Sequence, residues 1–185
     1  PALDPSTELD GLDELFLPVD IGPWSDQVGA VENALVDDEI GALIDGLRAK
    51  GADVWAVFDA CHSGTATRAV EADDVRVRQV SPEALGIDLD GVEASRSVAF
   101  FAAQTNEVTP EKNLPKGKPG RKPQGVFTWT LMEVLAEYPG ATYGQVGQEV
   151  LRRYAVKNLA QSTPLFEGDL DRVVFGGKGG ARVSQ

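Results

Sequence analysis

The sequence predicts an α/β fold, a mostly parallel central sheet with helices on both faces, and three observations carry that prediction. Val54-Trp55-Ala56-Val57-Phe58 is an unbroken apolar run of strand length, the composition of a strand buried on both faces. A second apolar run covers 97–103. Helix-period patterns precede the first run and follow the second, and strands separated by long loops and followed by two helices suit a sheet wrapped by helices. Only about three strands are legible. A sheet covered on both faces normally has more, so N-terminal strands are expected on a missing or separate segment.

Taken in order, residues 1–30 are acidic and turn-rich, with Asp10-Gly11 and prolines at 5, 18 and 23, and only Leu15, Phe16, Leu17 and Val19 form a short apolar stretch. From 30 to 50 the pattern turns helical. Asp37 and Asp38 stand before Ile40, Leu43, Ile44 and Leu47, which recur every three or four residues, and Gly51 follows as a stop. Acidic residues at the start and Arg48 and Lys50 at the end suit the helix dipole. After the 54–58 strand, 65–96 reads as a long polar loop, and loops of that length are commonly functional. Residues 104–124 carry Lys112, Lys116, Lys118, Arg121 and Lys122 among prolines and glycines, read either as a flexible solvated loop or as a protease-sensitive one. Helices are expected at about 126–138 and 143–159, a last short strand at 172–175, and a glycine-rich tail at 177–185.

Composition narrows the function classes. A net charge of -12 argues against nucleic acid, whose phosphates need clustered Lys and Arg. It is compatible with a basic peptide substrate. No apolar run reaches the length of a membrane span and no signal peptide opens the chain, so neither a membrane nor a secretory route is expected and the compartment expected is the cytoplasm. One cysteine excludes an intrachain disulfide, and one cysteine with one histidine cannot build a zinc site of the usual kind.

That cysteine, Cys61, stands just past the 54–58 strand rather than inside it, where a core cysteine would more naturally lie. Open α/β sheets place their chemistry at the C-terminal ends of parallel strands. Its neighbours Ala60, Ser63 and Gly64 are small, which lets a substrate backbone approach the sulfur and leaves N–H groups to face a developing oxyanion.

Asp59-Ala60-Cys61-His62-Ser63-Gly64 resembles the active-site cysteine motif of metacaspases and their bacterial relatives, the orthocaspases. The resemblance is collinear over most of the chain. Asp10-Gly11-Leu12-Asp13-Glu14 and Leu17-Pro18-Val19-Asp20 look like the acidic stretch after the family's catalytic histidine, and Asp37-Asp38-Glu39-Ile40 like its Asp-Asp helix start. Phe101-Ala102-Ala103-Gln104 looks like the next core strand and its exit. Gly125-Val126-Phe127-Thr128, Thr163-Pro164 and Glu167-Gly168-Asp169 resemble the p10-like part.

The resemblance implies a caspase–hemoglobinase fold over 1–176, with a p20-like part to about 105, a basic loop at 106–124 and a p10-like part from 125. It implies thiol peptide hydrolysis, with Cys61 as nucleophile and its N–H as one oxyanion donor. Asp59 would line the S1 pocket and pair with a substrate Arg or Lys, a guanidinium being suited to a bidentate fork. The alternative for Asp59 is a capping or loop-bonding carboxylate. Arg68, Arg76 and Arg78 in one polar stretch, and Lys118, Arg121 and Lys122 in the other, would then be self-processing positions.

Two departures from the family pattern bear on activity. The general base should be a histidine about 50 residues before the cysteine, yet the single histidine is His62, whose side chain diverges from its neighbour's on leaving a strand. The base is therefore expected from an N-terminal chain or segment, cleaved or trimmed, unless the protein is an inactive pseudo-peptidase that binds peptides or a partner. Calcium, used by many metacaspases, would take carboxylates matching Asp20, Asp37 and Asp38, but Arg68 stands where a fourth is expected, and a guanidinium does not suit calcium. No cofactor is required by this reading. A legumain-like, Asn-directed peptidase is the nearest enzymatic rival.

Overall fold

The computed structural model describes residues 15–27, 29–60, 77–78, 97–103, 107–157, 159 and 162–176. Along the chain these form β1 (Leu15–Phe16), β2 (Trp24–Ser25), β3 (Ala30–Val31), β4 (Leu35–Val36), α1 (Asp37–Ala49), β5 (Val54–Phe58), β6 (Val77–Arg78), β7 (Ser97–Phe101), β8 (Thr109–Leu114), β9 (Lys122–Gly125), α2 (Val126–Glu137), α3 (Tyr143–Val156), β10 (Leu165–Gly168) and a 3-10 turn at Val174–Gly176. No described helix is long and apolar enough to cross a membrane.

The central sheet has the order β10-β7-β5. β5 runs parallel to β7, with Val54 opposite Ser97 and Phe58 opposite Phe101. β10 runs antiparallel to β7, with Leu165 opposite Phe101 and Gly168 opposite Val98. The described sheet is therefore mixed rather than mostly parallel. β7 is the middle strand, and all five of its residues are buried.

Strand alternation sends its side chains to two separate cores. Val98 and Phe100 pack with α2 and α3 through Phe127, Leu131, Val134, Tyr143, Val146 and Val150. Ala99 and Phe101 pack on the other face against Ile40 of α1, Phe58 and Leu165. Helices thus cover both faces of β7, whereas β5, expected to be buried on both faces, is only half-buried because it is the outer strand of the described sheet.

The helices form where periodicity places them. α1 opens with Asp37 and Asp38, and the Glu39 carboxylate accepts the Val36 N–H at 3.1 Å, serving one orphan donor of the first turn. It stops at Gly51, whose φ of 79 suits glycine. The helical pattern read from residue 30 onward begins only at 37, because 30–31 and 35–36 pair as short strands with β2 and β1.

In α2, Val126, Phe127, Thr130, Leu131 and Val134 are buried at three- and four-residue spacing. α3 starts with a reciprocal box. Thr142 Oγ1 accepts the Gln145 N–H at 3.2 Å and Gln145 Oε1 accepts the Thr142 N–H at 3.0 Å. Behind it Glu149, 2 % exposed, accepts Arg152 and Arg153 at 2.7–2.8 Å. The Arg152 hydrogen bonds are the largest influence holding its carboxyl down at about 2, against the burial that raises it. Arg153 also reaches Glu137, tying α3 to the end of α2.

Two sequence expectations change. The last strand among the described residues is β10, not 172–175. Val173 makes only an isolated bridge to Thr142, and Phe175 adopts φ 57, outside strand geometry. Residues 106–124, expected as a flexible loop, contain the hairpin β8–β9, pairing Glu111 with Gly125 and Leu114 with Lys122, while β6 pairs with β8. Its Pro, Gly and Lys content reads as loop, but Thr109, Pro110 and Glu111 are buried, and that burial is tertiary.

Phe100 is the keystone of the larger core, fully buried and edge-to-face with Trp55 at 5.3 Å and with Phe166 at 4.6 Å. Phe100→Ala is expected to lower unfolding stability by about 3–5 kcal/mol, because it deletes a fully buried ring packed against Trp55, Tyr143 and Phe166. A urea denaturation midpoint moved by less than the equivalent of about 1 kcal/mol would show that the site collapses to fill it.

Candidate active site

The ends of five segments converge where β5 terminates. The Ala102 N–H donates to the Phe58 carbonyl at 2.9 Å, carrying the β5–β7 ladder past both strands. The Thr109 hydroxyl, at the start of β8, donates to the Ala60 carbonyl at 3.4 Å. From the approach to β10, the Ser162 hydroxyl donates to the Ala102 carbonyl at 2.8 Å. Next to it Thr163 is clamped by Glu107, whose two carboxylate oxygens accept the Thr163 N–H at 2.6 Å and its hydroxyl at 2.8 Å. The N-terminus of α2 completes the ring.

Asp59 is the described side chain at the centre of this arrangement. Its Oδ2 accepts the Thr128 hydroxyl at 2.6 Å and the Thr128 N–H at 3.0 Å. The reason lies in the sequence. The N-cap of α2 is Gly125, which has no side chain to accept the orphan N–H of the third helical residue. Asp59 supplies that acceptor from 69 residues away. Gly125 is also required sterically, since a Cβ there would overlap the Asp59 carboxylate. The capping alternative for Asp59 is thus realised in the structure.

It accounts for only one oxygen. Oδ1 is buried and has no hydrogen-bond partner among the described residues. The bidentate fork expected to an arginine is not available in this arrangement, because Oδ2 is already committed to Thr128. Tyr154, 3 % exposed on α3, feels the same carboxylate. Burial first, and then the Asp59 charge, push its phenol well above the ordinary tyrosine range, against the Ser162 hydroxyl, so it stays neutral. Tyr154 also lines a groove of about 350 Å³ with Leu151, Ser162, Thr163 and Pro164.

Cys61, His62, Arg68 and Arg76 lie outside the described residues. The chain enters Cys61 directly from Ala60, so the cysteine's position in the sequence follows the strand end just described. Arg78 is in β6, opposite Thr109 of β8. Lys118 and Arg121 are exposed at the tip of the β8–β9 hairpin, and Lys122 is exposed as the first residue of β9. Asp20 is exposed in the turn after β1, and its carbonyl accepts the Asn33 side-chain amide. Asp37 and Asp38 are the first two residues of α1. Among the described residues no three His, Cys, Asp or Glu gather as a metal site.

Sequence reasoning missed Gly125, Thr128 and Glu107 as parts of this constellation. For the first two a signal existed, a glycine immediately before a helical pattern, which leaves an N–H needing an acceptor from elsewhere. Nothing local marks Glu107.

No protein-family model matches the chain. A 62-residue stretch, 34% of this chain, is 42% identical to Metacaspase-2 of Arabidopsis thaliana, of which it covers 13%. That partial match points to a metacaspase-like relationship and hints at a cysteine peptidase.

Proposed function

We propose that the chain is the nucleophile-bearing part of a caspase-like cysteine endopeptidase that cleaves after Arg or Lys. The observation that carries the reading is Asp59 at the C-terminal end of a parallel strand, bonded to the N-terminus of α2, with Cys61 two residues further along the sequence. In this reading the Cys61 thiolate attacks the scissile carbonyl, the amine leaves, and water resolves the acyl-enzyme. The Cys61 N–H is one oxyanion donor. Asp59 receives the basic P1 side chain. Residues 1–176 form one catalytic domain of the caspase–hemoglobinase type, divided near 105 and 125, and the exposed Lys118, Arg121 and Lys122 suit processing of the hairpin tip.

The general-base histidine comes from a segment outside this sequence. The described sheet supports a partner there. β5 is its outer strand, and Val57 is 39 % exposed on it. Calcium enters no step, because Arg68 stands in place of the fourth carboxylate.

The test is turnover by the full natural chain on matched peptides that differ only at P1. Cleavage of Arg and Lys peptides supports the reading, Asn cleavage alone would favour the legumain-like rival, and no cleavage with an unreactive Cys61 would favour a binding scaffold. Asp59→Asn keeps an oxygen for Thr128 and removes the charge. It is expected to cost Arg-P1 peptides about 30-fold in kcat/KM relative to a neutral P1 control, equivalent to about 2 kcal/mol of a charge pair broken from one side. Equal losses for both peptides would mean that Asp59 only supports the loop.

A further inference from the structure

We infer that Thr128 is a positioning residue for substrate selection, holding Asp59 by one oxygen so that the other faces the basic P1 side chain. The inference rests on the reading of Asp59 as the P1-binding carboxylate. Three observations carry it. Both Thr128 donors, hydroxyl and N–H, fall on Oδ2 and none on Oδ1. Oδ1 is buried and without a donor among the described residues, and a buried anionic oxygen left unpaired is costly until a donor arrives. Gly125 leaves no room on its side for more than a hydrogen, so the carboxylate occupies one seat.

A carboxylate on a single-bonded carbon otherwise turns broadly about its last torsion. Two donors from one rigid residue at a helix N-terminus fix its plane. Oδ1, closed off in this arrangement, is then the oxygen left for an end-on contact with a guanidinium or an ammonium that displaces what covers it. Selectivity for a basic P1 residue depends on that fixed orientation and not only on the charge.

The experiment compares the full natural chain with Thr128→Val and Thr128→Ser on Arg-P1, Lys-P1 and neutral-P1 peptides. Active sites are counted with a covalent thiol inhibitor, so that misfolded protein is excluded from the rates. Valine keeps the helix N–H and the volume and deletes only the hydroxyl donor. It is expected to raise KM about tenfold for both basic peptides with kcat within threefold, and to lower kcat/KM on the neutral peptide by less than threefold. Serine restores the hydroxyl and is expected to stay within threefold of the parent throughout.

Should valine prevent folding, Gly125→Ala is the second variant, because its Cβ would displace Oδ2, the oxygen that Thr128 holds. Its backbone φ of −59 accepts alanine, and the same selective rise in KM is expected. Equal losses on all peptides, unchanged or increased basic selectivity, or a serine variant as impaired as valine would overturn the inference. Asp59→Asn run in parallel separates the two levels. If it abolishes basic selectivity while Thr128→Val and Gly125→Ala do not, this inference fails and the P1 assignment stands. If it leaves selectivity intact, both fall.

Discussion

Cys61→Ala is expected to lower peptide turnover by roughly 10⁴-fold or more while leaving the fold in place, because it removes the only thiol in the chain. No other cysteine can substitute, and a serine or water attack without the thiolate would leave only what binding and oxyanion stabilisation supply. The comparison needs the parent and the variant purified identically, with circular dichroism and thermal melting to confirm equal folding. Mass spectrometry of the same samples would show whether cleavage after Lys118, Arg121 or Lys122 occurs in the parent and is absent from the variant. Turnover within tenfold of the parent would remove Cys61 from the mechanism and leave the partial match to a plant metacaspase as a relationship without activity.

The second large effect concerns the base. Residues 1–185 expressed alone are expected to show no measurable turnover, and activity is expected to appear when a histidine-bearing segment from outside this sequence is supplied. A free cysteine near neutrality is only a few per cent thiolate, and without an imidazole the departing amine also lacks its proton donor. General acid–base catalysis of this kind is worth about 10²–10⁴-fold. The same segment should raise the melting temperature, because β5, the outer strand of the described sheet, leaves the apolar Val57 exposed for it to cover. Mutating the supplied histidine should remove turnover and keep the thermal shift. Comparable hydrolysis by 1–185 alone would make His62 the leading candidate for the base.

By itself the sequence determined the parts of this protein that depend on neighbouring residues. β5 was legible as Val54–Phe58 because five consecutive apolar residues have no amphipathic alternative, and β7 was legible for the same reason. The starts of α2 at Val126 and α3 at Tyr143 were legible as helical patterns, and the structure adds the Thr142 and Gln145 box that opens α3. The position of Asp59-Ala60-Cys61 immediately after a strand also needed nothing beyond the string of residues, although the strand itself is half-buried rather than buried on both faces. Tertiary structure alone decided what pairs across long separations. Leu165–Gly168 becomes a strand because β7 offers a side to it there, whereas 172–175 makes an isolated bridge through Val173 to Thr142 and Phe175 turns out of strand geometry. The Pro- and Lys-rich 109–125 segment becomes a hairpin because its buried first half docks on the core. Asp59 divides its two oxygens between a helix cap and an unpaired buried position, since its partner Thr128 is 69 residues away. A side chain's chemistry is local, but the donors it meets are set by which segments the fold brings together.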